Sequence, residues 1–223
     1  MLFMAAAASA AATDALDTPL VVDQLVTGAS SHVRVHNAGK QSITAWSLAI
    51  TSEENQVTHR VIHAADGYLS EITHGLPQSS KLLDRIEPGE SRDFPLDPLP
   101  SGSRVEVVAV VFDDGTAVGD EEIIGGIFAR RLKERDAFRS VVDAFNEVLR
   151  NEHGSAALEA LRERFTALLQ RDESMPCRAA LDAVETYARG ANADQIDQSL
   201  NTYAAFVARE YDLAVKHAAR KHP

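Results

Sequence analysis

The spacing of apolar residues changes near Gly119, and this change constrains the fold more than any other feature of the 223-residue chain. Before Gly119, apolar residues alternate with polar ones in short runs that turn-forming residues interrupt. After Gly119, they recur every three to four residues for about a hundred residues, which is the period of amphipathic helices. The sequence therefore predicts an α+β chain in which an antiparallel β-sandwich is followed by a C-terminal helical bundle.

Three segments follow from this pattern. Residues 1–17 are predicted to be a signal remnant or a disordered N-terminus, residues 18–118 the sandwich, and residues 119–223 a four-helix region. Hydrophobic residues make up 45% of the chain and charged residues 25%, a balance that favours a globular protein over a disordered one.

The β half holds about seven short apolar runs separated by turn residues, which is typical of an antiparallel sandwich. In the clearest run, Val33 and Val35 share one face of a strand, and His32, Arg34 and His36 share the other. The run at residues 105–111 is too apolar for an edge strand, so we predict a central position for it. The predicted strands cover residues 21–26, 32–36, 43–50, 57–63, 82–86, 91–96 and 104–112.

Two short patterns of the β half carry a resemblance. Residues 33–37, then Lys40 and residues 43–46, form one pattern, and residues 86–91 with Phe94 form the other. Together they resemble the FxLYD-type, immunoglobulin-like modules of bacterial exported proteins, over about residues 20–112. The motif after which that family is named is absent from this chain. The resemblance implies an immunoglobulin-like sandwich with a non-catalytic role.

The N-terminal residues predict a location. Residues 1–4 are Met-Leu-Phe-Met, and an alanine-rich run extends to Ala12, as in the apolar part and cleavage region of a secretory signal. The basic start of such a signal is missing, so a frayed N-terminus is the alternative. No stretch reaches the ~18 apolar residues of a membrane span. We expect a periplasmic or secreted bacterial protein, otherwise a cytoplasmic one, that is not an integral membrane protein.

The net charge of −11 disfavours nucleic acid as a partner, because an acidic surface repels phosphates. The basic tail at residues 216–222 is the exception to this charge balance. Cations at the end of a helix suit the helix dipole, and this explanation is preferred to a nucleic-acid or lipid contact.

Four histidines form the first candidate binding site. His32 and His36 share one face of a predicted strand, and His59 and His63 share one face of another. Neighbouring strands would bring four imidazoles together, which suits zinc or copper. However, Arg34 lies on the His32 face and would repel a cation. Chain order also predicts that the His59 strand pairs with the strand at residues 43–50 instead.

A dense acidic segment, from Asp113 through Asp114 and Asp120 to Glu121 and Glu122, is the second candidate and suggests Ca²⁺. Its spacing does not follow the EF-hand loop. The residues also fit a turn at 113–115, a helix cap at Asp120 and acids in the first helical turn.

The sequence contains no recognised catalytic or cofactor motif, although a Ser-His-Asp triad built from distant residues, and thus a hydrolase, stays open as an alternative. The chain lacks the Gly-x-Ser-x-Gly elbow, the dinucleotide-binding glycine pattern and the P-loop. Cys177 is the only cysteine, which excludes an intrachain disulfide, and we interpret it as structural. Trp46, the only tryptophan, is predicted to lie in the core, and Gly125-Gly126 is interpreted as a hinge or a point of close packing.

Four amphipathic helices are predicted after Gly119, at residues 121–150, 155–169, 176–189 and 193–217. Ser155 and Asn192 are the expected caps of the second and fourth. In the first helix, the charged stretch at residues 130–136 is expected to be exposed, whereas Leu132 is placed on the apolar face.

The sequence thus favours a non-enzymatic bacterial protein without cofactor, catalytic or metal residues, which acts through contact with another protein or with itself. The alternative is a metal- or small-ligand-binding sandwich module that uses the histidine face or the acidic segment.

Overall fold

The computed structural model describes residues 18–54, 56–68, 85–171, 173–190 and 193–221. Within them, seven strands are followed by four α-helices, so the predicted α+β order is confirmed. The predictions for the N-terminal segment at 1–17 and for most of the strand at 82–86 concern residues outside the described ones.

The first sheet has three antiparallel strands in the order β1, β2, β5. Their bounds are Leu20–Val26 (β1), His32–Asn37 (β2) and Ser91–Pro95 (β5). Val33 and Val35 of the central strand are fully buried, as their alternation predicts. A bulge interrupts β1 between Val22 and Gln24.

The second sheet has four antiparallel strands in the order β4, β3, β6, β7. Their bounds are Ile43–Glu54 (β3), Val57–Asp66 (β4), Arg104–Phe112 (β6) and Ala117–Gly119 (β7). The central position predicted for the run at residues 105–111 is confirmed, because β6 lies between β3 and β7. The sequence did not predict β7, a three-residue strand between the predicted turn at residues 113–115 and the predicted helix cap at Asp120.

The two sheets share one hydrophobic core. Its buried members include Val33 and Val35 from the first sheet and Trp46, Leu48 and Val110 from the second. Trp46 is fully buried, so its predicted place in the core is confirmed.

The side chain of Asn37 links the two sheets at the end of β2. It is fully buried, and its Nδ2 donates to the carbonyl of Gln41 at 2.7 Å and to that of Ile86 at 2.9 Å. Its Oδ1 accepts from the backbone N–H of Gly39 at 2.9 Å. Ile86 in turn exchanges two backbone hydrogen bonds with Ile43, the first residue of β3.

The four helices have the bounds Glu121–Asn151 (α1), Gly154–Leu169 (α2), Met175–Gly190 (α3) and Ala193–Ala218 (α4). Asp120 caps α1 as predicted, since its Oδ1 accepts from the N–H groups of Glu122 and Ile123. The prediction for Ser155 was wrong, because α2 begins one residue earlier. There Asp197 of α4 accepts from the Gly154 N–H at 2.7 Å. The predicted cap Asn192 lies outside the described residues.

The expected exposure of the charged stretch at residues 130–136 was wrong at one position. Arg131 is only 1% exposed, its guanidinium lies 5.6 Å from the centre of the Phe128 ring, and it donates to the carbonyl of His217 at 3.3 Å. Leu132, which we placed on the apolar face, is 37% exposed. The expected apolar face of α1 is otherwise buried, including Ile124, Phe128 and Phe145, and only at this turn does Arg131 take the place of Leu132.

Aromatic rings fill the contact among α1, α2 and α4. The ring of Phe145 lies 5.3 Å from Phe165 and 5.8 Å from Tyr203, and Tyr203 also contacts Tyr187 and Phe206. Burial raises the pKa of Tyr203 to about 12, so its hydroxyl stays protonated across the physiological range.

The chain divides into two compact units. The strand unit contains the seven strands, the start of α1 as far as Ile127, and the chain end from Arg220. The helical unit contains residues 128–219, with the rest of α1 and helices α2 to α4. Within the strand unit, the N–H of Lys221 donates to the carbonyl of Gly115.

The glycine pair in α1 has space around it, which gives a first prediction. A Cβ added at Gly125 or Gly126 would meet no atom within 4 Å, so close packing does not require either glycine. We expect Gly126→Ala to stabilise the protein by about 0.5–1 kcal/mol in chemical denaturation, because alanine loses less backbone entropy in a helix.

Gly119→Ala is the matched control and should have the opposite effect. Gly119 has φ +127°, and a Cβ there would collide with the carbonyl oxygen of Val108. Equal effects of the two substitutions would contradict this account of the two glycines.

Candidate functional site

The four candidate histidines lie in two different sheets. His32 and His36 belong to β2, where His36 Nδ1 lies 2.6 Å from Asp23 Oδ1. His59 and His63 belong to β4, which pairs with β3 as the chain order predicts. Within the described residues, no group of three or more His, Cys, Asp or Glu side chains could hold a metal ion.

Charged side chains on the outer face of the first sheet pair with each other. Arg34 donates two hydrogen bonds to the carboxylate of Asp93, at 2.9 and 2.8 Å. These bonds from Arg34 lower the pKa of Asp93 below its usual value. Arg34, which we expected to repel a metal ion bound by His32 and His36, is therefore paired with Asp93 on that face of β2.

Protein groups hold four of the five acids of the second candidate site. Asp120 caps α1, as described above, Asp114 is described below, and the turn predicted at residues 113–115 is present. Ion pairs join Asp113 to Arg85 at 2.7 Å and Glu121 to Arg220 at 2.6 Å. The turn and the helix start agree with the alternative interpretation of the sequence, whereas the contact of Glu121 with Arg220 was not predicted.

Asp114 gives a prediction about pH. Its Oδ1 accepts from the hydroxyl of Thr116 at 2.6 Å and from the Thr116 N–H at 2.9 Å, and the hydroxyl bond is the main reason its pKa is lowered. A lowered pKa contributes stability above the ordinary value of 3.8, and that stability is lost as pH falls through the folded pKa. We expect Thr116→Val to raise the pKa of Asp114 in an NMR titration, and Thr116→Ser to preserve the low pKa.

Cys177 and Trp46 are both buried. Cys177 is 3% exposed, and Trp46 packs on Phe94 with ring centres 4.4 Å apart. Buried positions suit the structural roles that we expected for both residues.

Strand β4 has the features of a contact site. Its sequence, Val-Thr-His-Arg-Val-Ile-His-Ala-Ala-Asp, is rich in the β-branched residues that favour strands. It pairs with β3 over ten consecutive residues without a register shift, and it is the outermost strand of its sheet. It is therefore a long, regular edge strand.

The backbone of β4 presents a row of free hydrogen-bonding groups. Only two residues separate Glu54 from Val57, so this pair must exchange both of its backbone hydrogen bonds, and the pairs alternate from there. The N–H and C=O groups of the even-numbered residues Thr58, Arg60, Ile62 and Ala64 then point away from β3. None of them has a backbone partner in the part of the chain that the structure describes.

Strand β4 carries exposed apolar side chains on both of its faces. Val57 is 54% exposed, Val61 61% and Ile62 41%. Between Val57 and Ala64, Arg60 is the only formally charged residue. Among the described residues, the outward backbone groups and these exposed side chains of β4 are thus available to a partner.

The other three outermost strands are protected in the ways that natural sheets use. Strand β1 has its bulge and the charged Asp23, β5 is five residues long and ends at Pro95, and β7 has only three residues. Strand β4 is ten residues long, has no bulge or proline, and carries a single formal charge, Arg60, before Asp66. Its long, regular edge is the candidate functional site.

The sequence predicted β4 as a returning strand of a hairpin but not as an edge. Alternation shows that a segment is a strand, whereas its place in the sheet depends on pairings distant in the chain, such as β3 with β6. One sequence feature could have indicated the edge. Residues 57–64 carry apolar side chains on both faces of the strand and only a single formal charge.

The chain matches no protein-family model, and no significantly similar protein was found among curated proteins or solved structures. In the described part of the chain, no helix combines the length and the apolar character that crossing a membrane requires.

Proposed function

We propose that this is a non-enzymatic protein that acts through protein-protein contact, with the edge of β4 as its contact surface. The observation that carries the proposal is the row of backbone groups from Thr58 to Ala64, flanked by exposed Val57, Val61 and Ile62.

Such an edge binds an extended segment as an added strand. The backbone hydrogen bonds are worth about 0.5–1.5 kcal/mol each in net terms, and burial of the valine and isoleucine side chains adds to them. Side chains of the incoming strand would lie beside Val61 on one face and beside Arg60 and Ile62 on the other.

The non-enzymatic part of the proposal rests on the sequence and on the surface. Besides the missing catalytic motifs, two surface depressions on the helices support it. One on α4 is lined by Gln198, Asn201, Thr202, Ala205 and Arg209, and the other is lined by Arg162 of α2 and by Glu185, Ala188 and Arg189 of α3. Neither brings together a nucleophile, a base and an orienting group.

The immunoglobulin-like sandwich, the C-terminal helical bundle and export to the periplasm or medium are further parts of the proposal. Two antiparallel sheets with one shared core support the first, and the aromatic contacts among α1, α2 and α4 support the second. The apolar start of the chain supports the third. Mass spectrometry of the native protein tests export, and an intact Met1 would contradict it.

A photo-crosslinking amino acid tests the contact surface. Placed at position 62 in β4, it should yield a discrete adduct in living cells, and placed at position 21 in β1 it should not. Val21 is a suitable control because it is 39% exposed, close to the 41% of Ile62. A second substitution, Val61→Lys, should abolish the adduct. Equal adducts at both positions, or none at position 62, would contradict the proposal.

A further inference from the structure

We infer that the strand added to β4 is β4 of a second copy, paired antiparallel about a twofold axis with Val61 opposite its own symmetry mate. This inference rests on the proposed function of the β4 edge and specifies its partner. The register that the strand permits, its charges and its length all favour this pairing.

Symmetry restricts the possible registers. A twofold axis perpendicular to the sheet leaves the two faces of the sheet unchanged. Residues that lie opposite each other in the two β4 strands must therefore have side chains on the same face. Side chains alternate between faces, so a residue can oppose only residues at an even separation from it. The axis can therefore pass through Arg60, Val61 or Ile62 near the middle of the strand.

The register centred on Val61 is the best of the three. It places Arg60 opposite Ile62 and Thr58 opposite Ala64, so all four outward-facing residues exchange hydrogen bonds, about eight in total. Centring on Arg60 would set two guanidinium groups against each other. Centring on Ile62 would set Val61, the most exposed apolar side chain of the strand, against the imidazole of His63. The register centred on Val61 instead sets the imidazoles of His59 and His63 opposite each other.

The side chains also suit self-pairing at Val61. The most exposed apolar side chain of the strand, 61% exposed, would contact its own copy, and Ile62 would pack along the stem of Arg60. No two formal charges would lie directly opposite, since Arg60 is the only one from Val57 to Ala64. The ten residues of β4 provide enough length for the whole overlap.

Disulfide trapping tests the register. Opposing residues of a non-hydrogen-bonded antiparallel pair have Cα atoms about 4.5 Å apart, within the range of a disulfide. Val61→Cys should therefore form a covalent dimer under mild oxidation. Ile62→Cys should form at least about fivefold less, because its symmetry mate lies diagonally at about 7–8 Å. The native Cys177 is 3% exposed, and the unmodified protein serves as the background.

Sedimentation of the full chain tests association without crosslinks. We expect a concentration-dependent dimer that Val61→Lys weakens at least about tenfold, a loss of about 1.4 kcal/mol, while Val21→Lys leaves it unchanged. Association should strengthen as salt is raised, because each copy carries a net charge of −11. Circular dichroism confirms that each variant folds.

The possible outcomes separate this inference from the function beneath it. A monomer at every concentration, with no Val61→Cys dimer, would overturn the inference. Preferential trapping through Ile62→Cys would overturn the register. If position 62 photo-crosslinks to a different protein while the chain stays monomeric, the contact function holds and self-pairing fails.

Discussion

Replacing Arg131 by alanine should destabilise the protein by about 3 kcal/mol or more, measured as the free energy of unfolding in urea. The side chain is 1% exposed and donates to the carbonyl of His217, in the last turn of α4. Its removal leaves a buried carbonyl short of a donor and a volume that its neighbours cannot fill completely. The contact with the Phe128 ring is lost as well.

Two further variants distinguish the causes of this loss. Arg131→Met keeps the apolar stem and loses the donor, so it should recover part of the stability but not all of it. Arg139→Ala is the control on the same helix, because Arg139 is 66% exposed and its only described ion pair, with Asp143, is long at 3.9 Å. It should change stability by less than about 0.5 kcal/mol. Equal losses for Arg131→Ala and Arg139→Ala would contradict the role of Arg131.

Replacing Asn37 by alanine should cost about 3 kcal/mol. The substitution removes three hydrogen bonds at once and leaves the carbonyls of Gln41 and Ile86 and the N–H of Gly39 without this partner. Since Ile86 also bonds to the first residue of β3, the loss should loosen both sheets at this end.

Asn201→Ala is the matched control for Asn37. Its Nδ2 also donates to a backbone carbonyl, that of Asp197 at 2.8 Å, but on an exposed helix face where water can replace it. Thermal or urea denaturation should show little change for this variant. A similar small effect for Asn37→Ala would contradict its role in joining the sheets.

Local patterns predicted most of the elements, and their bounds differ by only a few residues from the observed ones. The buried role of Arg131 was also present in the spacing, three residues after Phe128 and seven before Phe138. We gave its charge more weight than its position on the helix. A long apolar stem, together with acceptors for the guanidinium such as the His217 carbonyl, allows an arginine to occupy such a position.

Other features depend on contacts distant in the chain, and no local pattern contains them. Asp197 caps a helix that begins 43 residues earlier, and β7 is a strand only because it pairs with β6. The candidate site is of this kind too. Alternating residues predict the strand at β4, but its exposed edge follows from the order in which four strands assemble.

Residue-resolved amide hydrogen exchange of β4 tests the central claim most directly, since it reads each N–H separately. In dilute solution, the outward amides of Thr58, Arg60, Ile62 and Ala64 should exchange fast, while the inward amides of His59, Val61 and His63 stay protected by β3. Raising the protein concentration should slow exchange of the outward set alone. Two results would contradict a contact site at this edge. The outward amides could already be protected in dilute solution, or they could stay unprotected at every concentration and with every partner.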